Sequence, residues 1–229
     1  MLSAENLQTI RHEGDLLLTA FGRDPGAMVP QYPGWTLDDL VYHTAGVHGR
    51  TVLVCRLLAQ ERVHAPRCPP EMTVDDWYRH TLTELLEILR SSDPGVSVWG
   101  FGASPTIGFW ERRMVIETGV HRRDAEQALG LESPLTDHVA VSGLDEFAEL
   151  WLPFLGEVPT LKVNATDIGR SWVIGPGTAG SEVEGTASEV FLRLMARPSA
   201  VSLPTVWADA VNRLAPPPKP DRAPRQGAT

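Results

Sequence analysis

Glu117 and His121 stand at i and i+4 in a run of helical character, so their side chains leave one face about a turn apart. His43 lies in a second such run, Leu40-Val41-Tyr42-His43-Thr44-Ala45-Gly46-Val47-His48, where its neighbours at i−3 and i+4, Leu40 and Val47, are apolar. That pattern turns His43 toward a protein interior. One imidazole from one helix and Glu-x-x-x-His from another supply three ligands and leave a position open, which is the ligand arithmetic of a catalytic zinc site. Zn2+ suits such a set, and Fe2+, Ni2+ or Co2+ would also bind it. A blander reading competes. Glu-x-x-x-His arises by chance on exposed helix faces, and a single inward His is more often a hydrogen-bonded core residue. Against that, Glu117 is flanked by Met114, Val115, Ile116 and Val120, an apolar setting for a carboxylate that lacks a partner.

Other polar residues offer two readings each. Asp124, one turn after His121, either orients that ligand from behind or is a solvated helix residue. Arg113, one turn before Glu117, either pairs with it or with a substrate carboxylate, or is a surface guanidinium. Arg197, closing the segment Leu192-Arg193-Leu194-Met195-Ala196, either faces an inter-domain cleft or is a cation at a helix end. His48 is five places from His43 and therefore off the ligand face, a pocket wall or a core residue. Cys55, among Val52, Val54, Leu57 and Leu58, reads as buried and inert, because a reactive thiolate needs an accessible, electropositive setting. Gly175-Pro176-Gly177-Thr178-Ala179-Gly180 lacks the Lys-Ser/Thr ending of a phosphate loop and reads as a turn.

The elements that must position these residues are marked by their caps. Apolar residues from Ala4 to about Phe21 recur at helical spacing. Thr36 with Asp39, and Thr73 with Asp76, are capping-box-like pairs that open a second helix running to about Gln60 and a third ending near Ser91. A fourth helix is expected from about Pro105 to Leu129, closed by Gly130, and a shorter one from about Asp137 to Leu152. Together these predict an antiparallel four-helix bundle with an added helix over residues 1–153. The period changes to two in Thr160–Thr166 and Ser171–Ile174, with a third strand at Ser181–Glu184 and helical spacing again from Ala187 to Ala196 and Val206 to Leu214. Residues 154–214 thus form a small α+β domain. The stretch 215–229, rich in proline and poor in apolar bulk, is expected to be disordered.

Composition excludes several function classes. The 229 residues carry 20 Lys and Arg against 29 Asp and Glu, a formal charge of −9. No basic face for nucleic acid or an anionic membrane surface is expected from that balance. The apolar stretches are too short to span a bilayer. The start Met1-Leu2-Ser3-Ala4-Glu5-Asn6 lacks the pattern of a signal peptide, and the two cysteines, Cys55 and Cys68, form no disulfide framework. A cytoplasmic setting is expected.

Two segments carry a family likeness. Pro33-Gly34-Trp35-Thr36-Leu37-Asp38-Asp39-Leu40-Val41-Tyr42-His43-Thr44-Ala45-Gly46-Val47-His48 resembles the N-terminal signature of the mycothiol-dependent maleylpyruvate isomerase family. Arg113-Met114-Val115-Ile116-Glu117-Thr118-Gly119-Val120-His121-Arg122-Arg123-Asp124-Ala125-Glu126 resembles its second signature, broadly E-T-x-x-H-R-x-D-A. The family belongs to the DinB-like superfamily of metal-binding four-helix bundles, and the likeness extends to a small C-terminal domain through Asp167-Ile168-Gly169-Arg170-Ser171-Trp172. Arg123 departs from the pattern, since an aromatic residue is common there.

The resemblance implies His43, Glu117 and His121 as ligands of a divalent metal, most simply zinc, with water or a thiol in the fourth position. It implies mycothiol as co-substrate and a metal-bound thiolate as nucleophile in an isomerase or S-transferase acting on a small electrophile. Two rivals stand beside it: a metal-dependent tailoring enzyme that needs no thiol, using metal-bound water or the bare Lewis acid, and a metal- or ligand-binding protein without turnover. The expected partners are a small-molecule electrophile and a low-molecular-weight thiol, with no nucleic acid or membrane, in a monomer or small homo-oligomer.

Overall fold

The computed structural model describes residues 4–102, 104–131, 133–178, 180–214 and 216–222. The chain divides into two units, one holding the described residues up to Ser133 together with 218–222, the other Pro134–Pro217.

The first unit is built from four helices, α1 (Ala4–Phe21), α2 (Leu37–Leu57), α3 (Val74–Ser91) and α4 (Ile107–Ala128), with α2 packed on α3 and α4, and α1 on α4, α3 and α2. Local chemistry sets the helix starts. The Thr36 hydroxyl accepts from the Asp39 N–H while the Asp39 carboxylate accepts from the Thr36 N–H at 3.0 Å, so α2 opens on a complete reciprocal box. Thr73 and Thr106 cap α3 and α4 through the N–H groups of Asp76 and Phe109. Gly130, with φ of 72°, follows the end of α4 in the left-handed conformation that glycine adopts freely.

The core is made of the inward faces of these helices: Ile10 and Leu17 on α1, Leu40 and Val41 on α2, Leu82, Leu85 and Leu89 on α3, and Trp110, Met114 and Val115 on α4 are all buried. An ionic contact between α1 and α4 lies inside. Arg122 of α4 donates from Nε to Glu13 of α1 at 2.6 Å and from Nη1 to Glu126 and Ser133, with Glu13 fully buried. A buried carboxylate of this kind is tolerable only with its partner in place. The pair ties α1 to α4 at the residue next to His121.

In the second unit, α5 (Asp137–Leu150) and α6 (Leu152–Leu155) precede a three-stranded sheet of β1 (Leu161–Ala165), β2 (Arg170–Ile174) and β3 (Ser181–Gly185), followed by α7 (Ala187–Leu194) and α8 (Thr205–Asn212). The strand order is β2-β1-β3, with β1 antiparallel to β2 and parallel to β3. Alternation along β1 buries Leu161, Val163 and Ala165 on one face. Helix α5, read from the sequence as part of the helical region ending at 153, lies in this unit instead. It packs on α7 and β2, and its Gly143 meets the Phe191 ring so closely that an added Cβ would stand 2.3 Å from it.

The tail also differs from expectation in its described part. Lys219 pairs with Asp39 at 3.0 Å and donates to the Gly34 carbonyl, while Arg222 pairs with Asp38 and Asp39 and covers the Tyr42 ring at 4.7 Å. Basic side chains matched to the acidic first turn of α2 hold residues 219–222 where composition alone predicts none. Residues 223–229 lie outside the described residues. No helix among the described residues is long and apolar enough to cross a membrane.

Glu13→Ala is expected to lower the stability of the helical unit by about 3 kcal/mol, because it leaves the buried Arg122 without its fully buried carboxylate partner. Chemical denaturation followed by circular dichroism measures this. A loss below about 1 kcal/mol would show that Glu126 and Ser133 hold the guanidinium unaided.

Candidate metal centre

Helix α2 brings His43, and helix α4 brings Glu117 and His121, to one place: a ligand atom of each lies within 4.8 Å of the others. Glu117 Oε1 stands 3.1 Å from His121 Nε2 and 3.4 Å from His43 Nε2. Donor atoms held at about 2.1 Å by one tetrahedral ion are separated by about 3.4 Å. The residues present therefore fit a divalent metal in both donor chemistry and spacing. The two imidazoles meet edge to face, with ring centroids 5.3 Å apart.

The facing rows of α2 and α4 run in opposite directions. His43 meets Glu117 and His121, His48 meets Thr118, and Thr51 meets Met114 as α2 ascends and α4 descends. Along α4 the stripe Trp110, Arg113, Glu117, His121 and Asp124 follows the three- and four-residue spacing of one helix face.

Two of the three candidate ligands are held from behind. Asp124, fully buried, accepts from His121 Nδ1 at 3.2 Å, which leaves Nε2 aimed at Glu117. Arg113 donates to Glu117 Oε2 at 3.0 Å, leaving Oε1 toward the imidazoles. Trp35, edge-on to His43 at 5.3 Å, and Tyr32, 5.9 Å from the His121 ring, wall the group with aromatic surface.

Electrostatics distinguishes the three. Burial opposes ionisation of Glu117, but His121, His43 and Arg113 outweigh it and hold the carboxyl well below the ordinary range. Burial also disfavours a charged His121, yet Glu117 and Asp124 raise it to about 9. His43 is lowered, by burial first and then by the charges of His121 and Arg50 against the pull of Glu117. Its neutral ring is ready to ligate, whereas His121 carries the proton that an entering metal must displace.

The remaining expected residues sort cleanly. His48 is a buried core residue, its Nε2 3.0 Å from the Thr118 hydroxyl and its pKa lowered to about 3 by burial. Cys55 is buried and its thiol is pushed up to about 12. Arg113 is paired with Glu117 rather than lying free on the surface. Arg197 belongs to the second unit, where its guanidinium donates to the Met195 carbonyl at the end of α7. Sequence reasoning missed Tyr32, Trp35 and Arg50. Trp35 stands directly before the capping Thr36, and Arg50 is two helical turns after His43 on the same face; those spacings were the available signals.

A family profile described as the mycothiol maleylpyruvate isomerase N-terminal domain matches residues 7–126, the stretch that holds all three candidate ligands. The chain belongs to this family. Two solved structures are similar to it across 96% of both chains. A crystal structure of a histidine-to-alanine mutant of the mycothiol-dependent maleylpyruvate isomerase has a TM-score of 0.68 at 15% identity. The crystal structure of the mycothiol-dependent maleylpyruvate isomerase has a TM-score of 0.66 at 14% identity. At such identities the likeness speaks for the fold. No curated protein matches the chain.

In this family member Asp124 is the buried support of His121, and its removal is measurable. Asp124→Asn should weaken binding of one divalent ion per chain by roughly 10–100-fold, read by competition with a chromophoric chelator. Equal affinity in the two proteins would show that the His121–Asp124 contact does nothing for the metal.

Proposed function

We propose that this chain is a metal-dependent, thiol-using enzyme, an isomerase or S-transferase acting on a small electrophile with mycothiol as its co-substrate. One observation carries the reading: two imidazoles and one carboxylate, spaced for a single ion, with each outer atom of the α4 pair already engaged by Asp124 or Arg113. Family membership supports the thiol, and the names of the two similar structures support an isomerisation.

His43, Glu117 and His121 would hold the ion, and the chemistry it supplies when bound is to favour the thiolate form of a thiol at neutral pH. Zinc is the metal that this donor set suits best. The protein's own part is positional. Asp124 fixes the His121 ring so that Nε2 and not Nδ1 faces the centre. Arg113 occupies the outer oxygen of Glu117 and keeps its carboxylate in one orientation. Trp35 and Tyr32 turn apolar surface toward the imidazoles, which limits water around the ligands.

In the isomerase outcome the sulfur adds to one carbon of an electron-poor double bond, and the electron pair moves onto the conjugated carbonyl. The former double bond rotates as a single bond. The pair then returns, the carbon–sulfur bond breaks, and the thiol leaves unchanged with the trans product. In the transferase outcome a proton is taken up at the second carbon and the thioether departs.

His121→Ala should reduce mycothiol-dependent isomerisation of maleylpyruvate to the uncatalysed rate while far-UV circular dichroism stays near that of the unaltered protein. The four helices keep their apolar stripes in that variant, so the fold does not need the ion as a zinc finger does. Unimpaired thiol-dependent turnover by a metal-free His121→Ala protein would contradict the proposal. Metal-dependent turnover without any thiol would favour the water or Lewis-acid alternative.

A further inference from the structure

Arg50 lies two turns after His43 on α2, and Trp110 and Arg113 lie two turns and one turn before Glu117 on α4. Because the two helices run in opposite directions, the same alignment that sets His43 against Glu117 and His121 sets Arg50 against Trp110 and Arg113. The Arg50 guanidinium rests over the buried Trp110 ring, 5.6 Å from its centroid. Burial and the charges of Arg113 and Arg62 lower the Arg50 pKa, with Glu117 opposing them, which places these groups in one electrostatic neighbourhood.

Arg50 is unusual among them in lacking an acceptor. Arg113 has Glu117, and Arg122 has Glu13 and Glu126. Among the described residues Arg50 has no ion pair, and its Nε is buried without a hydrogen bond. A half-buried guanidinium that lacks an acceptor and feels the charge of a second one is costly unless an anion serves it. The charges near the centre point the same way. A divalent ion together with Arg50 and Arg113 exceeds Glu117 and Asp124 by two positive charges. A thiolate accounts for one.

We propose that Arg50 and Arg113 form an anion subsite beside the metal centre that binds a carboxylate of the electrophile. This rests on the reading of the chain as a thiol-using enzyme and adds to it the residues that would recognise a carboxylate of the electrophile. Guanidinium forks match a carboxylate's two oxygens, and a carboxylate held there sits on the Arg50 side of His43 and Glu117. Arg50 is then a specificity residue, and Arg113 serves both the substrate and Glu117.

Arg50 is the residue to alter, since changing Arg113 would disturb Glu117 as well. The probes are maleate, its neutral diamide and inorganic phosphate, titrated by calorimetry into the zinc-loaded 229-residue chain. Maleate affinity should fall roughly 10–100-fold in Arg50→Gln and by a smaller factor in Arg50→Lys, which keeps the charge but not the fork. The diamide should be indifferent to both changes. In turnover with mycothiol, KM for the electrophile should rise while KM for the thiol and bound zinc per chain stay constant. Equal maleate affinity in the unaltered and Arg50→Gln proteins would overturn the subsite, as would phosphate binding as tightly as maleate. The two proposals fail separately. A protein that binds zinc and turns over with thiol but shows no Arg50-dependent maleate binding loses only the subsite. One that binds maleate through Arg50 but shows no thiol-dependent turnover keeps the subsite and loses the assigned activity.

Discussion

The Glu117 carboxylate is the contact on which the rest of the first unit's chemistry hangs. It is buried in an apolar stretch of α4, a place where an unpaired negative charge would cost several kcal/mol. Three groups make it tolerable: His121 from the same helix, His43 from α2 and Arg113 a turn away. Each oxygen has a distinct task, with Oε1 toward the imidazoles and Oε2 toward the guanidinium. Fixing that division also fixes where an ion can sit. The carboxylate thus orders the helix pair and the donor set together.

Its dependence on α2 explains why the surrounding scaffold is braced as it is. The reciprocal cap at Thr36 and Asp39 sets where α2 begins, and with it the angle at which His43 leaves the helix. Lys219 and Arg222 add charge to that same first turn. On the other side, the buried Glu13–Arg122 pair holds α4 against α1 at the residue following His121. Ligand geometry of the kind needed for one ion tolerates errors of a few tenths of an ångström. Rigid helices, capped and cross-tied close to the ligands, meet that demand better than loops would.

How much of this could be read beforehand follows the range of each interaction. The caps at Thr36, Thr73 and Gly130 were legible because a cap involves residues three or four apart. The inward turn of His43 was legible from Leu40 and Val47, and the oddity of Glu117 from the apolar residues around it. Partners far apart in the chain were not. Nothing near Glu13 announces Arg122, and nothing near Arg50 announces Trp110. Helix α5 shows the same limit in another form: its apolar face was visible, but not that Phe191 of α7 would cover it. The tail was misjudged over residues 219–222 because sparse apolar content was weighed without the match between its basic residues and Asp38 and Asp39.

The proposed chemistry requires that two imidazoles and one carboxylate of the helical unit hold a metal whose remaining position takes a thiol. X-ray absorption at the zinc edge of the zinc-loaded protein, recorded with and without mycothiol, measures that directly. Without thiol the expected spectrum shows a shell of nitrogen and oxygen donors at about 2.0–2.2 Å with the outer scattering of two imidazole rings, and with saturating thiol a sulfur at about 2.3 Å. A spectrum that gains no sulfur while the enzyme turns over with thiol, or one that shows no imidazole scattering at all, would contradict it.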